Sequence, residues 1–368
     1  MNLKERLKRI LEGLPKRVKI GTQYVGPEEP VFVVAEVGIN HNGDIALAKK
    51  LIDAAKDAGA DAVKFQKRTT EEILTKEGLE KPYTSPHAFA STYGEHRRKL
   101  EFSEEQYREL KRYANGKEIL FFASVWDLGS ADFMERLEID AYKIPSADVI
   151  NTPLLEYVAK KDRPVLLSTG MNTMEEIEEA VHAVLKHNNR LIIFHCLSLY
   201  PSPDDKINLS FMDVLRRRFS PLPVGYSGHE MEMLPTIAAV SMGACIVERH
   251  MTLDKKMKGS DHAASLEPNQ FKELVASIHK IEKIKGVPKK IMYPELVPLR
   301  EKLAKSIVAK VAIPAGTVIA VEMLAVKGPG YGIKPSLIRD VVGRVAQAAV
   351  AEDTHIPLDA LVWPKKFL

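Results

Sequence analysis

Apolar residues in this chain come in short bursts that end on a polar side chain. Eight such bursts follow one another, at 31–37, 62–66, 119–125, 141–146, 165–169, 191–196, 224–227 and 245–250. Most are separated by segments with apolar residues at helical spacing, such as 45–58, 103–113, 174–186 and 268–285. Eight β-α repeats over about 250 residues predict an α/β fold of the (β/α)8 TIM-barrel type rather than a doubly wound sheet. The polar residues at the strand ends include Glu36, Lys64, Gln66, Lys143, Ser146, Ser168, Ser198, His229 and His250. A barrel's C-terminal rim gathers polar groups in this way while the strand interiors stay aliphatic.

The flanks follow other patterns. Leu3, Leu7, Ile10, Leu11 and Leu14 fall at helical spacing, so 2–14 reads as an amphipathic helix docked on the body, and 1–285 as the catalytic domain. Segment 67–101, after the second strand, is long enough to act as a lid or substrate loop. The three prolines of 286–299 mark a linker. Beyond it, 300–368 changes to short β-branched runs broken by Gly and Pro, which predicts a small, mainly β domain.

Composition narrows the picture modestly. Of 368 residues, 45% are hydrophobic and 28% charged, as in ordinary globular enzymes. A net charge of +4, spread along the chain, gives no basic footprint for nucleic acid. The opening residues lack a signal peptide's apolar core, and no stretch is long and apolar enough to span a membrane. The two cysteines, Cys196 and Cys245, sit in apolar runs as buried, reduced thiols would. A cytoplasmic protein with neither nucleic-acid nor membrane partners is expected.

The chemistry concentrates in two segments, G-Y-S-G-H at 225–229 and E-R-H at 248–250. Each ends a strand-like run on a histidine, and one helix-like stretch separates them. Two adjacent parallel strands therefore present His229 and His250 side by side, an arrangement suited to a catalytic metal with open positions. Glu36, ending the first strand between Ala35 and Val37, is a candidate general base. Lys64 and Lys143 stand inside strands, where an unpaired lysine is costly.

Longer motifs carry a resemblance. They are A-E-V-G-I-N-H-N-G-D (35–44), V-K-F-Q (63–66), Y-K-I-P-S-A-D (142–148), S-T-G-M (168–171), Y-P-S-P (200–203), E-R-H-M-T-L-D (248–254) and K-G-S-D-H-A-A-S-L-E-P (258–268). From about residue 18 onward the chain resembles the N-acetylneuraminate (sialic acid) synthases, barrels that end in an antifreeze-like (SAF) domain. K-P-Y-T-S-x-H (81–87), T-Y-G-E-H (92–96) and L-E-F-S-x-x-Q-Y-R-E-L (100–110) resemble the animal-type branch.

That resemblance implies condensation of phosphoenolpyruvate with N-acetylmannosamine 6-phosphate, or with the free sugar. The product is N-acetylneuraminate 9-phosphate or N-acetylneuraminate, and phosphate is released. A synthase for another nonulosonic acid (deaminoneuraminate, legionaminate or pseudaminate) is the alternative. It implies a divalent cation on His229 and His250, Mn²⁺ foremost with Mg²⁺ or Co²⁺ as substitutes. Lys64, Lys143, Ser146, Ser168, Ser198 and Ser227 would hold phosphoenolpyruvate, and Gln66, Tyr200 and Asp261 the acceptor. It further implies a domain-exchanged homodimer. One position departs: Gly328 stands where bacterial relatives carry an acceptor-binding arginine, beside Lys327. Of the basic residues after the second strand, Lys67, Arg68, Lys81, His96, Arg97 and Arg98 are candidates for holding an acceptor phosphate.

Overall fold

The computed structural model describes residues 3–362. Eight strands close into a parallel barrel: β1 Phe32–Gly38, β2 Ala62–Lys67, β3 Leu120–Val125, β4 Tyr142–Ile144, β5 Val165–Ser168, β6 Leu191–Cys196, β7 Val224–Gly228 and β8 Ile246–His250. Each follows its expected run to within a few residues. Strand β4 is the shortest: Pro145, which cannot donate to the ladder, ends it, and Ser146–Asp148 turns as a 3-10 helix. Every residue of β1, β6, β7 and β8 is buried, because one face fills the barrel and the other meets the helices.

The helices carry their own start signals. Asp44 caps Ile45–Asp57, and capping boxes open Glu104–Gly116 at Ser103 and Met174–Leu185 at Thr173. Helix Leu3–Leu11 buries Leu7 and Leu11 in the barrel's own core, as its apolar stripe predicts; Asn2 lies outside the described residues. The sequence reading passed over a hairpin, Val18–Ile20 with Gln23–Val25. Its two-residue loop places Gly21 at φ +55, against Leu120 at the start of β3. It therefore lies against the N-terminal end of the barrel, away from the polar rim.

Segment 67–101 is folded. It contains three short helices, Thr70–Ile73, Lys76–Glu80 and Tyr93–Leu100. Residues 1–286 form one compact unit and 287–368 a second. The second unit opens on helix Val297–Leu303 and has its own core around Ile307, Ile313, Ile319, Ile333 and Ile356. Its strands are short, as its β-branched runs broken by Gly and Pro predict. Among the described residues only Ser306–Ala309 and Leu324–Lys327 pair as strands, joined by isolated bridges such as Ile313 with Val350. The turns at Pro314-Ala315-Gly316 and Gly328-Pro329-Gly330 interrupt longer ladders. Lys327, beside Gly328, is paired with Asp353.

Candidate active site

A cavity of about 250 Å³ opens where the strands end. All twelve candidate residues line it: Glu36, Lys64, Gln66, Lys143, Ser146, Ser168, Ser198, Tyr200, Ser227, His229, His250 and Asp261. Strand register brings the first of them together. His250 of β8 pairs with Glu36 of β1, and Glu36 in turn with Lys64 of β2. A larger hollow of about 560 Å³ lies at the other end, among Arg17, Pro221 and Gly243, and contains none of these groups.

The E-R-H segment shows how period two divides its labour. Glu248 and His250 point into the cavity, while Arg249 points outward and is fully buried against Glu230 at 2.8 Å. Glu230 also accepts from Tyr226 and Thr236, which fixes the turn that follows His229. The sequence points to the histidine of this segment, and Glu248 lies two residues deeper on the same face.

Glu248 is in fact the hub of the floor. Lys143 donates to both its oxygens at 2.9 Å, Lys64 lies 3.5 Å away, and the Ser227 hydroxyl donates to it at 3.3 Å. Lys64 also meets Glu36 at 2.9 Å and donates to Ser124. Burial would raise the Glu248 carboxyl, but Lys143 and Lys64 overcome it and hold the group at about 2. The opposite holds for Glu36: burial, aided by the charge on Glu248, outweighs Lys64 and pushes it up. Burial lowers Lys143 despite Glu248, whereas Lys64 stays raised because its two carboxylates outweigh burial. Two adjacent carboxylates are thereby pulled apart, one locked as an anion and one able to take a proton.

The serines converge through a glycine. Gly170, after β5, approaches so closely that a Cβ there would lie 2.5 Å from Ser198 Oγ and 3.0 Å from Ser146 Oγ. Its N–H donates to Ser146 at 2.9 Å. Cys196 Sγ, 3.3 Å from Ser146 Oγ, completes this wall. Neither Gly170 nor Ser124 stood out in the sequence, although S-T-G-M contains the glycine.

The imidazoles of His229 and His250 lie with ring centroids 5.6 Å apart. His229 Nδ1 donates to the Leu197 carbonyl at 2.6 Å, leaving Nε2 as an acceptor that faces the Tyr200 hydroxyl at 2.9 Å. Burial and the neighbouring His250 lower His229 to about 3, so it is neutral at physiological pH. His250 Nδ1 is buried without a hydrogen-bond partner, and Asp261 Oδ2 stands 3.9 Å away. Among the described residues no three side chains converge as a complete metal cage. A neutral, oriented imidazole beside an unpartnered one fits a cation that draws its remaining ligands from water and substrate.

Gln66 links the floor to the outer wall. Its amide donates to Glu36 at 3.1 Å and accepts from Arg68 Nη2 at 2.6 Å. Arg68 is buried, paired with Glu101 at 2.6 Å and lies 5.0 Å from the Trp126 ring. His41 and His262 support the loops. His41 stacks on Phe102, and His262 bonds Thr252.

Residues 51–290 match the NeuB family and 304–362 the SAF domain. The chain is 44% identical over 335 residues to the N-acetylneuraminate-9-phosphate synthase of Homo sapiens, covering 91% of this chain and 93% of that protein. It is 38% identical to the N,N'-diacetyllegionaminic acid synthase of Legionella pneumophila, over 86% of this chain and 91% of that one. A crystal structure of the N-acetylneuraminic acid synthetase of Leptospira borgpetersenii, in complex with citrate, superposes with a TM-score of 0.70. Identity there is 32%, covering 79% of this chain and 98% of the other. The chain belongs to the NeuB family.

Proposed function

We propose that this NeuB-family enzyme condenses phosphoenolpyruvate with N-acetylmannosamine 6-phosphate, giving N-acetylneuraminate 9-phosphate and phosphate. The observation that carries this reading is the buried Glu36–Lys64–Glu248–Lys143 network beside the paired imidazoles of His229 and His250. The new bond joins C3 of the enol to the acceptor's open-chain aldehyde carbon. Water adds at C2, and phosphate leaves from C2. Lys64 and Lys143, with Ser146, Ser168, Ser198 and Ser227, hold the phosphate and carboxylate of phosphoenolpyruvate. Since Glu248 already neutralises much of the lysine charge, the serine hydroxyls and the Gly170 wall carry a substantial share of that work. Glu36, held up by burial, takes the proton of the attacking water. Gln66, Tyr200 and Asp261 orient the acceptor's hydroxyls. A divalent cation held by His229 and His250, Mn²⁺ before Mg²⁺ or Co²⁺, would polarise the acceptor carbonyl when bound.

The test is phosphate release from phosphoenolpyruvate with a panel of acceptor sugars, before and after chelation. Turnover with N-acetylmannosamine or its 6-phosphate, lost on chelation and restored by Mn²⁺, is expected. Turnover only with a diacetamido sugar would move the enzyme to another nonulosonic acid, the alternative supported by its likeness to the legionaminic acid synthase.

The reading includes a domain-exchanged homodimer in the cytoplasm. Two buried free cysteines and the absence, among the described residues, of a helix able to cross a membrane are in keeping with that setting. Exposed Ile291, Tyr293, Val297, Leu299 and Leu303 give 287–303 an apolar surface that a second copy would cover. Light scattering should give a dimer; a fully active monomer would contradict it.

A further inference from the structure

The fold separates the six candidates for an acceptor phosphate that stand at and after the end of β2. Arg98 turns outward to Glu71, Lys99 of the same helix donates to the Phe89 carbonyl, and Lys67 donates to the Arg68 carbonyl. His96 is packed among Tyr83, Phe89 and Tyr93. Lys81 is exposed and does not line the cavity. Only Arg68 and Arg97 reach the cavity.

These two guanidinium groups differ in their partners. Arg68 has Glu101. Arg97 is half-buried, and its Nε and Nη2 both donate to the Tyr93 hydroxyl, at 2.9 and 2.6 Å. Among the described residues no carboxylate lies within ion-pair distance of Arg97. Two arginines near enough to repel each other thus share a single carboxylate at the cavity mouth. A hydroxyl holds Arg97 in place without neutralising it. Such a pair is arranged for an anion that arrives from solution.

Its place in the cavity indicates which anion. From Glu36 the chain of contacts runs through the Gln66 amide to Arg68 by hydrogen bonds of 3.1 and 2.6 Å. That leads from the reaction centre toward the outer wall of the cavity, which Arg68 and Arg97 line. A hexosamine that joins its aldehyde carbon to a three-carbon enol turns its own C6 into C9 of the product. A substituent on C6 therefore points away from the new bond, toward this mouth. We infer that Arg97, backed by Arg68, forms a subsite for a phosphate ester on the acceptor's C6 and sets the preference for phosphorylated sugar. This rests on the condensation proposed above.

The experiment measures kcat/KM for N-acetylmannosamine 6-phosphate and for N-acetylmannosamine at fixed phosphoenolpyruvate and Mn²⁺. Wild-type enzyme, Arg97→Gln, Arg97→Lys and Arg98→Gln are compared. Wild type should prefer the phosphorylated sugar. Arg97→Gln should cut that preference at least about tenfold, through KM for the phosphorylated sugar and with KM for phosphoenolpyruvate within about twofold. Arg97→Lys should restore part of it, and Arg98→Gln, outside the cavity, should match wild type. Thermal unfolding of Arg97→Gln near wild type shows that the effect is local. A ratio that survives Arg97→Gln overturns the subsite, as does a wild-type preference for free sugar. If wild type turns over neither sugar, the proposed condensation fails instead.

Discussion

On one side of the cavity Lys64, Lys143, Glu36 and Glu248 all come from barrel strands, and each has a buried partner of opposite charge. On the other side Arg68 and Arg97 come from the segment after β2, and among the described residues no carboxylate lies within ion-pair distance of Arg97. The strand-borne half is closed electrostatically before any substrate arrives. It can hold a fixed geometry because its charges are neutralised in register, strand by strand. The outer half holds a standing positive charge and needs a ligand to complete it. A reaction common to many acceptors can thus be kept in the barrel, with acceptor choice left to a segment that can vary without disturbing the floor.

The largest effect expected from this contrast concerns stability. Lys143→Met fills similar space but leaves buried Glu248 with the Ser227 hydroxyl and, as its paired cation, Lys64 at 3.5 Å. Breaking a buried pair from one side costs about 3–5 kcal/mol. Arg97→Gln, in the outer half, should cost within about 0.5 kcal/mol. Urea unfolding followed by near-UV circular dichroism compares the two. Equal midpoints would mean that the floor's pairing contributes no more to the fold than the mouth does.

The contrast also separates what the sequence announces from what it conceals. Strands announce themselves because each apolar run is the length of a barrel strand, and Pro268 before a helical pattern marks a helix start. Glu36, His229 and His250 could be placed because the C-terminal end of a barrel strand lies at the rim whatever its neighbours are. Pairing across the barrel is another matter. Lys143 and Glu248 are 105 positions apart, and only closure of the cylinder brings them together. The same holds for Ser124, whose hydroxyl means nothing until Lys64 lies beside it. At and after the end of β2 the basic residues look alike in sequence. Short helices and single contacts, such as Arg98 with Glu71, decide which face inward. The C-terminal unit was legible as a change of texture to a small, mainly β domain, and its ladders are short because Gly and Pro cut them.

The smallest expected effect, and the one that sharpens the division most, is a gap between two acid transitions. Glu248 is depressed from 4.5 to about 2 in the fold. Its contribution to stability is present in full above the unfolded value and is lost as pH falls from 4.5 toward about 2. Glu36 has the opposite sign. Its folded value is raised above 4.5, so protonating it on the way down does not unfold the protein and favours the folded state. Protonated Glu36 cannot accept a proton from water, however, so turnover falls about tenfold per pH unit below its raised value. Descending in pH, the enzyme should therefore lose kcat/KM while its circular dichroism is still native, and unfold only at lower pH. The measurement is kcat/KM and ellipticity on the same samples from pH 8 to pH 3, with reversal on return to neutrality. If activity and fold are lost together, the two carboxylates titrate as one unit, and Glu36 has no separate role as the base. If activity persists until the fold gives way, the proton acceptor lies elsewhere. A reversible, folded and inactive interval would instead assign proton transfer to Glu36 and the holding of charge to Glu248, a division made within the strand-borne half itself.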